Sequence, residues 1–489
     1  MPPASVAGAH VCRLSLTSTY SRFSLRAFAN LVAPSTHPAP LRSTGRPSPA
    51  ALVAGTPRLA VRAMATSPLS LTPPPEDAPR VAVLGGGAAG LACATTLAQA
   101  GARVDVFEAG RGVGGRMSTR RGTVIQHVAG DETGAALGES EVELGEFLKG
   151  VEWDHGAPYF VAESEEFKRL VAQWQAAGAV APWTDGGAFG ACDVATGTFT
   201  PGAVKPEESP DAVRYVGVPR MNSFCAAMGQ TPGVEVLTGS KIVSAEKGGP
   251  DHAPEWTLEH TTGRDKPNAT RGPYAALVLS DRTFQTGTQS LAEKLGLGAF
   301  ADAMKAVNGR PVFSLLAVVD TGTPGDGSAN GAACVGVASS DVLALVTASG
   351  TKPGRPAPQR FVPVVAVSTM AFAQGVVDKH GLTVRGSPEH QAMLDETAKS
   401  MADEMAKVIA AATGKPAPKI VYQQAHRWGA CFPDKAAAPE EKCLSEESMR
   451  AYACGDWCVY PSVEGACTSG MAAARKVIAA IGLKPSSAL

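Results

Sequence analysis

At 489 residues and 44% hydrophobic content, the chain is long for one domain and comfortable for two interleaved ones around a large buried core. A formal net charge of −1 excludes any general pull toward nucleic acid or an anionic membrane surface. The ten cysteines include no CxxC pair and no Cys/His group at zinc spacing, so the sequence implies buried free thiols in a reducing compartment and no metal site.

Residues 1–75 carry seven arginines, no lysine and no acidic residue, and are rich in Ser, Thr, Ala and Pro. That composition reads as an organelle transit peptide, plastid rather than mitochondrial on its Ala, Ser and Pro content, with a cleavage region near Ala63. No apolar run reaches the roughly 18 residues that a membrane-spanning helix needs.

Order is expected to begin near Arg80. "RVAVLGG" is a short apolar strand, "AAGLACATTLAQAG" a small-residue helix ended by Gly101, and "ARVDVFEAG" a second strand. Inside this βαβ unit, Gly85, Gly87 and Gly90 fit G-x-G-x-x-G directly after the strand. The first glycine allows the tight turn, the second lets the backbone approach a pyrophosphate, and the third packs helix on strand. Ala88 and Ala89 open the helix, whose N-terminal amides face phosphate charge. Glu108 and Ala109 end the second strand about 20 residues on, where a carboxylate accepts both ribose hydroxyls and repels a 2′-phosphate. The turn therefore suits FAD or NAD, not NADP.

"RGVGGRMSTRR" (111–121) decides between these two. Gly114 and Gly115 allow close backbone approach, Arg116 can lie along a pyrophosphate, and Met117 follows; Arg120 and Arg121 read as a solvated basic turn. Residues 122–150 read as a Gly-rich, acidic surface insertion. In "WDHGAPYF" (153–160), Gly156 and Ala157 suit a flavin face, with His155 or Tyr159 bordering the ring.

Residues 163–177 place Phe167, Leu170, Val171 and Trp174 on one helical face. Residues 234–247, which contain the cofactor candidate Val243, form a hairpin with 255–260, and 275–283 is a buried strand. Apolar strands fill 311–372, and a Met-rich amphipathic helix spans 389–413. Between them, Lys352 and Arg355 lie in a Pro-Gly loop, where they either clamp an anionic substrate or form a solvated turn.

Near the C-terminus, "ACGDWCVYPSVEGACTSG" (453–470) supplies the distant half of an FAD site. Gly455 allows close approach, and Asp456 accepts from a ribityl hydroxyl or joins the phosphate network. A helix from about Ala466, just after Gly465, aims its positive end at the flavin. The cofactor expected is noncovalent FAD: nothing around Cys431 beyond that one residue suggests a thioether. Trp428 is either pocket wall or core.

"VGGRMSTRR", "WDHGAPYF", "YVGVPRMNSF" (215–224), "SGTKPGR" (349–355), "RWGACFP" (427–433) and the C-terminal Gly-Asp segment together resemble renalase-like flavoproteins, in their plastid-type plant and algal form, over roughly 80–483. The resemblance implies an α/β fold of the p-hydroxybenzoate-hydroxylase and amine-oxidase kind: a Rossmann-type FAD domain with an interleaved α+β substrate domain. It implies FAD domain segments at 80–160, 215–290 and 421–485, and substrate domain segments at 161–214 and 291–420. It also implies oxidation of a small dihydronicotinamide-type substrate, hydride passing to flavin and oxygen leaving as peroxide. An amine or carotenoid oxidoreductase, or a flavin-binding protein without turnover, are the other readings. Segments such as "STMAF" (368–372) depart from the family pattern in the substrate domain.

Overall fold

The computed structural model of the protein describes residues 72–122, 139–184, 188–206, 208–209, 211–263, 266–280, 291–322, 332–356 and 360–484. The leader expected at 1–75 lies almost wholly outside the described residues. All of the described residues belong to one unit, Met64–Leu489.

The expected βαβ unit is present as β1 (Arg80–Leu84), α1 (Ala88–Gln99) and β2 (Arg103–Glu108). β1 and β2 run parallel in a six-stranded sheet, joined by parallel strands Val234–Thr238, Ala276–Leu279 and Ala451–Ala453 and by the antiparallel edge Leu444–Glu446. Near-continuous apolar runs such as Val81–Leu84 and Ala276–Leu279 are buried because the sheet is covered on both faces. α1 and the C-terminal helix Val463–Ala480 cover one face. The other carries Trp256, Leu258 and Tyr274 of a three-stranded antiparallel sheet, with Phe300 and Met304 of the helix Gly298–Lys305.

The two covering helices touch backbone to backbone. A Cβ on Gly470 would lie 2.1 Å from the Ala89 carbonyl oxygen. Gly470→Ala is therefore expected to destabilise the fold by about 1–3 kcal/mol, the usual scale for overpacking. Chemical denaturation checks this, and an unchanged midpoint would show that the helices separate freely.

A second, seven-stranded sheet runs in the order Lys419–Pro433, Gly309–Asp320, Phe361–Ser368, Leu343–Ala348, Ala332–Ala338, Ala188–Asp193 and Thr198–Pro201. The helix Pro388–Thr413 lays Met393, Met401 and Met405 on one of its faces, so those methionines are core, as their helical spacing indicates.

Four expectations need correction. The strand Lys419–Pro433 pairs along its length with Gly309–Asp320, so it belongs to the second sheet, and the dinucleotide domain resumes after it rather than at 421. Leu291–Val307 packs with Trp256 and Tyr274 against the first sheet, so the second domain resumes near Gly309 rather than 291. Of "STMAF" only Ser368 belongs to the strand: Thr369 caps a new helix, Met370–His380, by accepting from the Phe372 amide. The end of the surface insertion is a helix, Glu139–Gly150, whose Leu148 is buried against Trp153, Leu316 and Phe361.

Candidate dinucleotide site and basic cavity

The glycine turn is built as its spacing requires. Gly85 has φ +110°, and a Cβ on Gly90 would meet the Gly85 carbonyl at 2.0 Å. Around Gly87, by contrast, a Cβ would meet nothing within 4 Å, and no side chain caps the N-terminus of α1. Uncapped helix amides facing open space make an anion cradle. Glu108 is half-buried beside it, its two oxygens accepting from the amides of Gly86 (2.8 Å) and Gly110 (2.6 Å). Ala109 is exposed next to it. The loop leading toward Val243 lies alongside, the Ser240 amide donating to the Glu108 carbonyl, and Val243 itself is 42% exposed.

Gly114 and Gly115 both adopt positive φ (+119° and +52°), and the Gly114 amide donates to the Gly86 carbonyl at 2.8 Å. Gly156 passes flat against this loop: a Cβ there would lie 1.8 Å from the Arg116 carbonyl, and the Ala157 amide donates to that same oxygen. Met117 is buried beneath.

Arg116 closes the site. Its guanidinium donates to both carboxylate oxygens of Asp456 (2.6 and 2.5 Å) and to the Cys431 carbonyl (2.6 Å). Segments 340 residues apart are thus joined by a bidentate ion pair. Asp456 meets an arginine here, where the sequence suggested a sugar hydroxyl. The C-terminal helix begins at Val463, three residues earlier than expected, because Ser462 caps it by accepting from the Gly465 amide at 2.7 Å. The Ala466 amide donates to the Ser462 carbonyl, so Gly465 and Ala466 lie inside the first turn. The uncapped turn, the glycine cradle and the Arg116–Asp456 closure fit a dinucleotide. Cys431 carries a thiol that burial pushes up to about 11, so it is not a thiolate at neutral pH.

One strand further on is a cavity of about 280 Å³ lined by Arg120, Arg385, Arg427, His155, His390 and His426, with Gln424 and Leu316 among its other walls. Among the described residues no carboxylate lines it. His155 is buried and its Nδ1 has no protein partner. Its ring lies 5.0 Å from that of Trp428 and 4.9 Å from that of His426. Trp428 donates from Nε1 to the His155 carbonyl and to Ser314 Oγ, both at 3.1 Å; it is half-buried against the His155 and His426 rings and does not itself line the cavity. Burial, then the Arg120 charge, lowers the His155 pKa to about 4; burial, His155 and Arg120 lower that of His426 to about 3. Both imidazoles are neutral at physiological pH.

Several sequence expectations change here. Arg120 is not a solvated turn residue but a wall of the cavity, whereas Arg121 is 68% exposed. Lys352 and Arg355 are neither a substrate clamp nor a solvated turn. They are buried: Lys352 donates to Asp154 at 2.8 Å, and Arg355 to Glu152 at 2.6 Å and Asp154 at 2.7 Å. Their charges are consumed in holding the segment that ends at His155. Tyr159 lies outside the cavity, buried in the core, and burial raises its pKa. Trp457 is core under Gly455. Arg385, His390, His426 and Arg427 were missed by the sequence reading, since each reads alone as an ordinary surface residue.

Residues 83–174 match the model of the NAD(P)-binding Rossmann-like domain family. Among solved structures, the chain is similar to the cyclohexylamine oxidase of Brevibacterium oxydans IH-35A, with a TM-score of 0.52 at 12% identity over 83% of this chain and 100% of that one. It is also similar to a putrescine oxidase bound to putrescine, with a TM-score of 0.50 at 14% identity over 82% of this chain and 99% of that one. A carotenoid phi-ring synthase of Streptomyces griseus is 60% identical over 42 residues, 9% of this chain and 8% of that protein's length. What these likenesses establish is the fold: a Rossmann-like dinucleotide-binding domain with a second sheet domain, arranged as in the amine oxidases.

Proposed function

We propose that the protein is an FAD-dependent oxidoreductase of renalase-like type, taking a hydride from a dihydronicotinamide-type donor, with oxygen as the final acceptor and peroxide as product. The observation that carries the cofactor assignment is the bidentate Arg116–Asp456 pair, which brings the C-terminal Gly-Asp segment onto the Gly114–Gly115 loop. A dinucleotide site for NAD alone has no need of that second half. Bound there, FAD supplies the two-electron acceptor. Glu108 and the α1 amides would hold its adenosine and phosphate portions, and Gly156–Ala157 lets the chain pass closely beside Arg116. His155, held from behind by Trp428, and His426 are walls of the cavity that would orient a planar donor and exclude water, which is what hydride transfer asks of a protein.

The amine reading fits the cavity less well. An ammonium substrate would enter a space walled by three guanidinium groups and no carboxylate. A long apolar carotenoid would bury those same charges at large cost.

The test is anaerobic. Purified protein is expected to carry a flavin spectrum that bleaches with dihydronicotinamide isomers and not with amines, and to release peroxide when air is admitted. Bleaching by amines alone would overturn the reading. For the cell, we propose a plastid; residues 1–75 fused to a fluorescent protein are expected to direct it there, and mitochondrial fluorescence would refute this.

A further inference from the structure

The strand Lys419–Pro433 is the edge of its sheet, and the basic cavity wraps around it. Side chains alternate along a strand, so His426 and Trp428 face His155 while Ala425 and Arg427 face the helix Pro388–Thr413, where Ala425 is buried. On that second face two guanidinium groups meet. Arg427 is half-buried, and its Nη1 is enclosed with no hydrogen-bond partner among the described residues. Arg385 reaches in from the loop before the helix. Gly386, His390 and Gln391 line the same wall at the start of the 26-residue helix, whose first turn is capped by Ser387 accepting from the His390 amide and carries Glu389.

We propose that this face is an oxyanion site, in which Arg385 and Arg427, beside His390 and Gln391, hold a phosphate-type group of the substrate across the strand from His155. The inference rests on the oxidoreductase reading only for which molecule brings the phosphate. The chemistry follows from the groups themselves. A guanidinium nitrogen enclosed without a partner is costly, and a multiply charged oxyanion is a ligand that satisfies it. The Thr383 hydroxyl fixes His390 through Nδ1 at 2.8 Å. Burial and the flanking charges of Arg427 and Arg385 lower its pKa, the mark of a site with an excess of positive charge.

The holoprotein would be titrated calorimetrically with inorganic pyrophosphate at constant ionic strength, chloride serving as the screening anion. Wild type is expected to bind saturably at one site. Arg385→Ala and Arg427→Gln are each expected to weaken binding by about 10–100-fold, the loss of one charge-assisted contact, while Lys247→Ala, on the three-stranded sheet, leaves it unchanged. Absence of saturable binding, or equal weakening in Lys247→Ala, would overturn the proposal. If Arg427→Gln fails to fold, the exposed Arg385 still decides the matter. Turnover of dihydronicotinamide donors with a KM indifferent to Arg385→Ala would sink the oxyanion site but spare the oxidoreductase reading. Pyrophosphate binding without any donor turnover would do the reverse.

Discussion

Replacing Lys352 by Met is expected to destabilise the fold by about 3–5 kcal/mol, because it leaves a buried carboxylate short of its partner. Lys352 Nζ and Asp154 Oδ2 are 2.8 Å apart and each side chain is only 1% exposed. Arg355 stays on the other oxygen at 2.7 Å, and Thr119 and the Met221 amide also donate to Asp154, so the carboxylate does not simply become neutral. Burial alone would raise the Asp154 pKa, but Lys352 and Arg355 outweigh it and hold it at about 2. A carboxyl depressed on folding contributes stability that is fully present above its unfolded value of about 4 and is lost as pH falls toward its folded value. Wild type should therefore lose about 2 kcal/mol from this group as pH drops from roughly 4 to 2, and the double variant Lys352→Met, Asp154→Leu should lack that component. It should also regain part of the stability lost in the single variant, since an apolar pair often replaces a buried ion pair at little cost. Urea midpoints across that pH window are the measurement. A Lys352→Met midpoint equal to wild type would mean that the pair contributes nothing.

The same network explains why the cavity was hard to see in the sequence. The dinucleotide turn was legible because its requirements are local: glycines at fixed spacing, a strand before, a helix after, and an acid about 20 residues on. The C-terminal segment was legible as a Gly-Asp before a helix. The cavity has no such local signature. Arg120 comes from the two-residue strand Arg120–Arg121, Arg385 and His390 from a helix entry, and His426 and Arg427 from the strand Lys419–Pro433. Only the pairing of that strand with Gly309–Asp320 brings them to one place, and strand pairing over such separations leaves no mark on hydrophobic periodicity. The misplaced domain boundary at 421 has the same origin. Lys352 was misread for a related reason: a lysine in "TKPGR" is indistinguishable from a solvated one until Asp154, 198 positions away, is seen beside it.

On the FAD reading, Asp456→Ala is expected to weaken cofactor retention by about 10–100-fold, the effect of removing one side of a partly exposed charge-assisted bidentate pair. Asp456 is 5% exposed but Arg116 is 42% exposed, so solvent screens part of the interaction and the stability loss should be smaller than for Lys352→Met. The geometric consequence is larger than the energetic one. Arg116 uses one nitrogen for both Asp456 and the Cys431 carbonyl, at the far end of the strand that carries His426 and Trp428. Losing the carboxylate frees the guanidinium to turn away, and the Gly114–Gly115 loop and the edge strand then lose their common anchor. Arg116→Lys should resemble Asp456→Ala despite keeping its charge, because an ammonium cannot span both carboxylate oxygens and the carbonyl. The flavin-to-protein absorbance ratio after gel filtration measures the effect. If both variants retain wild-type flavin content while Gly87→Val loses it, the pair serves folding alone and the cofactor is held entirely by the N-terminal turn.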